Sequence, residues 1–197
     1  MAEKITRRTF LKVTGLAALS VAAAGALEGC GGLSPLPGNP TLPAVNSTSI
    51  ADTTDFSVGI GALTGQWTSN QSYEPGDDKS HNYIYTGIYL HNASSSDITF
   101  RTSSFACAFG SNTTDMKVRC LGSNVALNSD YKAYSFQTEL TLKGGESKTY
   151  PLYIDIGSTS FSSLVGTPVI IAMKAAGHTV TFKYASPSDD SPSYSVS

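Results

Sequence analysis

Over residues 54–185 apolar and polar positions alternate with a period of two. Phe56, Val58, Ile60 and Ala62 alternate with smaller residues; Ile84, Thr86, Ile88 and Leu90 alternate with Tyr83, Tyr85, Gly87 and Tyr89; Ile98 and Phe100 alternate with Asp97 and Thr99. The pattern returns in Tyr134, Phe136, Thr138, Leu140 and Leu142, in Tyr150, Leu152, Ile154 and Ile156, in Val169 to Met173, and in Val180, Phe182 and Tyr184. Successive strand side chains point to opposite faces, so this alternation, rich in β-branched and aromatic residues, predicts half-buried strands. Their recurrence at about ten-residue spacing predicts an all-β, antiparallel β-sandwich or barrel of eight to nine strands. After Cys30 no stretch sustains a helical period apart from a turn near Phe161 to Val165.

Turn chemistry divides the runs. Asn92 to Asp97, Lys143-Gly-Gly-Glu146 and Ala176-Gly177-His178 place small or φ-permissive residues between strands. Pro151 lies inside the Tyr150 to Ile156 run, which predicts an edge or a bulge there, because proline donates nothing to a ladder. Phe105 to Phe109 and Met116 to Cys120 flank a polar turn and read as a hairpin that could set Cys107 opposite Cys120. A disulfide between them is the expectation in an oxidising compartment, with two buried free thiols as the alternative.

The first thirty residues follow another pattern. A charged start leads into an apolar run, Val13 to Leu27, without a polar face. Such a run is shorter than the roughly 20 residues a spanning helix needs, so it reads as a signal peptide over 1–29. Thr6-Arg7-Arg8-Thr9-Phe10-Leu11-Lys12 resembles the twin-arginine signal, with Arg7, Arg8, Phe10 and Leu11 in the motif positions. The resemblance implies export of a chain already folded in the cytoplasm, with the twin-arginine translocase as a transient partner. Leu27-Glu28-Gly29-Cys30 resembles the lipobox of bacterial lipoproteins, which implies that Cys30 is acylated and anchors the mature chain to the extracytoplasmic face of a membrane. Stable anchoring implies more than one acyl chain, since one holds a protein only marginally.

The lipidated cysteine is followed by a Pro-, Gly- and Ser-rich stretch, and 30–50 read as a flexible tether. The sandwich occupies 51–185, and 186–197, with its Pro-Ser-Asp-Asp-Ser-Pro-Ser composition, read as a disordered tail. Tyr85-Thr-Gly-Ile-Tyr-Leu-His-Asn-Ala-Ser-Ser-Ser-Asp-Ile-Thr-Phe100 is similar to the strand, Asn-containing turn and strand of an immunoglobulin-like domain found on bacterial lipoproteins. Leu140 to Ile156 resembles that family's glycine-glutamate segment before a strand, and Val180-Thr-Phe-Lys-Tyr184 its closing strand. A small secreted immunoprotective antigen of mycobacteria has the same sandwich. The resemblance implies an immunoglobulin-like fold and no particular activity.

Charge and composition narrow the function. Cleavage before Cys30 leaves 9 of 13 basic and 13 of 15 acidic residues, a net charge of −4. A mildly acidic, mixed surface argues against nucleic acid, whose binding needs a basic patch. Ser129-Asp-Tyr-Lys132 has the Ser-x-x-Lys spacing of penicillin-recognising enzymes but precedes a strand rather than lying on a helix. Gly59-Ile-Gly-Ala-Leu-Thr-Gly65 lacks the helix that a dinucleotide loop requires, so its glycines read as bulges or close approaches. Glu74, Asp77 and Asp78 lack the ligand spacing of a calcium loop, and His81, His91 and His178 read as solvated turn residues. No cofactor, no metal and no catalytic constellation is expected. The unusual segment is 66–82, a polar loop that carries the single tryptophan. Trp67, Tyr73, Tyr83, Tyr85 and Tyr89 form a candidate binding surface for a protein, peptide or glycan, since such rings offer apolar area plus a polar tip. The expected function is a tethered, non-enzymatic binding module; a small extracytoplasmic hydrolase or metal-dependent enzyme is the alternative.

Overall fold

Among the described residues the alternating runs become strands that all pair in antiparallel fashion. A computed structural model describes residues 42–69, 81–111, 116–122, 125–127 and 134–197. In chain order the strands are β1 (Ile50–Asp52), β2 (Phe56–Ile60), β3 (Thr64–Ser69), β4 (His81–Asn92), β5 (Ile98–Arg101), β6 (Phe105–Phe109) and β7 (Lys117–Leu121). They continue with β8 (Val125–Leu127), β9 (Tyr134–Phe136), β10 (Glu139–Leu142), β11 (Ser147–Gly157), β12 (Val169–Ala175), β13 (His178–Tyr184) and β14 (Ser193–Val196). One helical turn, α1 (Phe161–Leu164), falls where the sequence predicts a turn.

A six-stranded sheet runs β1-β2-β4-β11-β7, with β3 continuing the β2 side of the long strand β4. A four-stranded sheet runs β14-β13-β12-β6, and β5–β10 and β8–β9 form two-stranded ribbons. The two larger sheets share one core. Phe56, Val58, Ile84, Ile88, Leu90, Leu152 and Ile154 come from the first, and Phe109, Val169, Ile171, Met173, Val180 and Phe182 from the second. Phe56 meets Phe100 edge to face at 5.6 Å, which ties β5 to that core. This is the all-β antiparallel sandwich that period-two patterning predicts.

Local chemistry explains the boundaries. Ala176 and Gly177 sit at φ 45° and 80°, so the β12–β13 hairpin closes through two left-handed positions, as a type I′ turn requires. Asn92 is fully buried; its amide donates to the Ser96 and Leu142 carbonyls and its oxygen accepts from Ser94, so one side chain fastens the β4–β5 turn to β10. Pro151 sits where β11 has β4 on one side and β7 has not yet begun to pair on the other. Its carbonyl accepts from Gly122 N–H, so the missing proline donor leaves no gap in a ladder.

Several expectations are corrected. There are fourteen strands among the described residues rather than eight or nine, because long alternating runs break: Tyr134 to Leu142 divides into β9 and β10, and Thr64–Ser69 is a strand, not loop. The tail read as disordered pairs as β14 against β13, Val180 with Val196 and Phe182 with Tyr194, with Pro187 and Pro192 buried. The last residues of the expected tether are also part of the globule: Ser47–Ser49 form a 3-10 turn capped by Asn46, and Ser49 is buried. β6 and β7 do not form a hairpin; β6 pairs with β12 and β7 with β11, in different sheets. The signal residues Arg7, Arg8, Phe10 and Leu11, the acylation residue Cys30 and Tyr73 lie outside the described residues.

Candidate functional site

The outer face of the six-stranded sheet gathers most of the residues that the sequence nominates. Cross-strand register arranges it in rows. Trp67 of β3, Tyr83 of β4 and Asp155 of β11 are backbone neighbours; next come Tyr85, Tyr153 and Cys120, then Gly87 with Pro151, then Gly59, Tyr89 and Thr149, then Ser57, His91 and Ser147. Register rather than sequence proximity therefore makes this a face.

The tyrosines have unequal access. Tyr83 is fully buried, tilted against Phe136 at 5.4 Å and stacked on His81 at 6.4 Å, so it cannot belong to an exposed patch as the sequence suggests. Tyr85 is half-buried, its ring 6.2 Å from that of Tyr153. Tyr153 is buried with Cys120 in a small outer cluster, and burial pushes its phenol well above the ordinary value. Tyr89 is half-buried. Of the three nominated tyrosines on β4, Tyr85 and Tyr89 present surface, on either side of Gly87.

At one end of this face lies a polar cluster that sequence reasoning missed. Asp155 is 1% exposed; its carboxylate accepts from His81 Nδ1 at 3.0 Å, from Arg119 Nε at 3.3 Å and from Gly157 N–H at 2.8 Å. Gly157, at φ 61°, follows a register shift in β11 that turns its N–H back onto Asp155. Burial pulls the Arg119 guanidinium below its usual value, and Asp155 opposes that shift. His81, read from sequence as a solvated turn residue, opens β4 with only 14% exposure. The available signal was an aspartate inside the apolar run Leu152-Tyr-Ile-Asp-Ile156, a place where a carboxylate needs partners.

The other histidines sit elsewhere. At the opposite end of β4, His91 Nδ1 lies 2.7 Å from Ser147 Oγ. His178 places Nε2 2.9 Å from Asp55 Oδ2 and 3.0 Å from Thr54 Oγ1. A Ser-His-Asp relay needs hydroxyl and carboxylate on opposite ring nitrogens; here both share one, so the trio orients the ring without activating the hydroxyl. Among the described residues no group of three or more His, Cys, Asp or Glu could hold a metal ion.

The expected disulfide is absent: Cys107 and Cys120 are both free and buried. Cys107 points into the core between the sheets, whereas Cys120 faces the outer cluster and donates to the Gly122 carbonyl at 3.0 Å. Two thiols on opposite sides of a sheet cannot meet. Burial pushes both up to about 12, which leaves them protonated and unreactive at neutral pH.

No family model matches this chain. No curated protein matches it either. Among solved structures it is similar to a candidate lipoprotein (ycdA) from Bacillus subtilis, at 12% identity and TM-score 0.37, over 75% of this chain and 37% of that one. It is also similar to a functionally unknown protein from Listeria monocytogenes, at 13% identity and TM-score 0.41, over 75% and 79%. A third similarity is to a FixG-related protein from Vibrio parahaemolyticus, at 8% identity and TM-score 0.32, over 64% and 92%. The chain thus spans well under half of the Bacillus protein. None of the three similarities assigns a role to any residue here.

Proposed function

We propose that this chain is a lipid-anchored, extracytoplasmic interaction module without enzymatic activity, exported through the twin-arginine route and held by acylated Cys30. The observation that carries the binding role is the outer face of the six-stranded sheet, where Tyr85 and Tyr89 stand half-buried on either side of Gly87, itself covered by Pro43. Half-exposed tyrosines give apolar area at little conformational cost together with a hydroxyl, which suits a protein, peptide or glycan ligand. The anchor rests on the Leu27-Glu-Gly-Cys30 resemblance, and the route on Arg7 and Arg8. Capture of surface partners by the wild-type chain and by Tyr85→Ala and Trp67→Ala variants tests the module. Partners lost on Tyr85→Ala support it, and an unchanged set removes the aromatic face from consideration. Palmitate labelling that vanishes in Cys30→Ser supports the anchor, and labelling that persists overturns it.

One observation favours a second reading, an acid–base enzyme. Asp155 fixes His81 through Nδ1, as an orienting carboxylate does in hydrolases. The nearly complete burial of Asp155, with Arg119 and Gly157 on the same carboxylate, suits a structural tie better. A hydrolytic activity abolished by His81→Gln without loss of stability would reverse that preference.

A further inference from the structure

The outer face of the six-stranded sheet carries a shallow trough already filled by the chain itself. Gly59 and Gly61 on the β2 side and Gly87 on β4 line it, joined by a Gly61 N–H to Gly87 carbonyl bond of 2.9 Å. Leu42 to Val45 lies across them as a strap. A Cβ on Gly87 would fall 2.6 Å from the Pro43 carbonyl oxygen, one on Gly61 2.8 Å from the Ala44 carbonyl oxygen, and one on Gly59 2.6 Å from Val45 Cγ1. Gly87 on β4 and Gly61 just past β2 therefore permit a backbone approach that a side chain would block, and Gly59 makes room for the Val45 side chain.

The chemistry of the occupant follows from the floor. A sheet keeps its N–H and C=O groups in its own plane, so a segment lying across its face finds no backbone partners there, only Cα–H groups for its carbonyls. Proline suits such a place, since it brings no N–H to satisfy. Leu42, preceding Pro43, is biased toward an extended backbone, and Asn46 just beyond has φ −71° and ψ 134°, close to polyproline geometry. Tyr85 and Tyr89 flank the row that contains Gly87. Aromatic side chains around a flat floor are the setting in which extended, proline-containing segments dock. The strap leaves something unmet: Thr149 Oγ1 is covered yet unpaired among the described residues, with its Cγ2 3.7 Å from the position a Gly87 Cβ would take. The strap is also only half-buried at Leu42, Pro43 and Val45, and exposed at Ala44. The same Leu-Pro pair recurs in the preceding chain as Leu36-Pro37.

We propose that the trough over Gly59, Gly61 and Gly87, between Tyr85 and Tyr89, is a groove for an extended, apolar, proline-containing peptide, with Leu42–Val45 as its resident occupant. The groove gives the interaction module its ligand class and rests on that reading. Ligand entry and strap release are then one equilibrium, so an incoming peptide competes with the strap and frees additional chain ahead of the sandwich.

The test uses the full chain and a fluorescein-labelled peptide with the sequence of Pro40 to Asn46. By anisotropy, the chain carrying Leu42→Asp and Val45→Asp, which undocks the strap, binds the peptide at least about tenfold more tightly than wild type, because a groove occupied nine-tenths of the time weakens apparent affinity by that factor. Adding Gly87→Val abolishes binding while far-UV circular dichroism retains the sheet. A second measurement needs no variant: elastase, which cuts after Ala44 and Val45, releases the fragment beginning at Asn46 faster in the presence of the same peptide N-methylated at those two bonds, which resists the protease. Absence of binding to the strap-released chain, equal binding by the folded Gly87→Val chain, or an elastase rate indifferent to the methylated peptide overturns the groove. Tyr85-dependent partner capture that survives such a result leaves the module intact and removes only its peptide groove.

Discussion

Two histidine–aspartate pairs sit in this sandwich, His81–Asp155 and His178–Asp55, and they differ in nearly everything except the residue types. Asp155 is almost wholly buried and receives three donors from β4, β7 and β11. Asp55 is 40% exposed at a turn and faces a His178 ring that is 27% exposed. Coulomb attraction and hydrogen bonding gain strength away from water, but so does the cost of an unpaired group. The first pair is therefore an element the sheet cannot lose. The second is a clasp between the β1–β2 and β12–β13 turns, working in screened surroundings.

The contrast can be broken most directly at Asp155. Asp155→Ala removes the buried carboxylate that His81, Arg119 and the Gly157 N–H share and should cost about 3–5 kcal/mol in urea unfolding; a loss of less than about 1 kcal/mol would erase the distinction. Arg119→Met keeps the His81 and Gly157 bonds to Asp155 and should cost about 1–2 kcal/mol by the same measurement. At the other end, Ala176→Asn should stabilise by up to about 1 kcal/mol, because asparagine tolerates the left-handed backbone that Ala176 occupies at φ 45°. Its readout is a raised Tm.

The smallest effect is expected at Asp55. Asp55→Asn should shift Tm by less than about 2 °C, and 1 M salt should shrink even that difference. The Thr54 hydroxyl, followed by His178, holds the Asp55 carboxyl below its ordinary value of 3.8. A carboxylate lowered in the folded state adds stability above that value and loses it as the pH falls through its folded value. Wild type and Asp55→Asn should accordingly converge in Tm only in strong acid, which a pair of melting curves between pH 2 and 6 would check.

The buried and the exposed pair were also unequal in what the chain disclosed. Strands whose two faces differ could be read directly: Val169 to Ala175 and His178 to Tyr184 alternate because one face meets the core and the other meets water. The glycine at position 61 was recognisable as a close-approach site, though not what approaches it, since the strap comes from a stretch whose proline-rich composition lacks any alternation. β14 escaped for a related reason: its exposed residues Ser193 to Val196 carry no period of their own and become a strand only because β13 offers an open edge. Asp155 and Arg119 are 36 positions apart in the sequence and meet through β7–β11 pairing. No local pattern can encode a contact made by topology. Tyr83 stood in alternation with Tyr85, yet the ring of Phe136 covers it.

The separation of Cys107 and Cys120 onto opposite sides of one sheet reaches beyond geometry. A sandwich whose two buried sulfurs stay apart arrives at its finished form without an oxidant, and does so equally under glutathione or in open medium. Its maturation has no redox clock, and neither a reductant nor an oxidant changes the form it reaches.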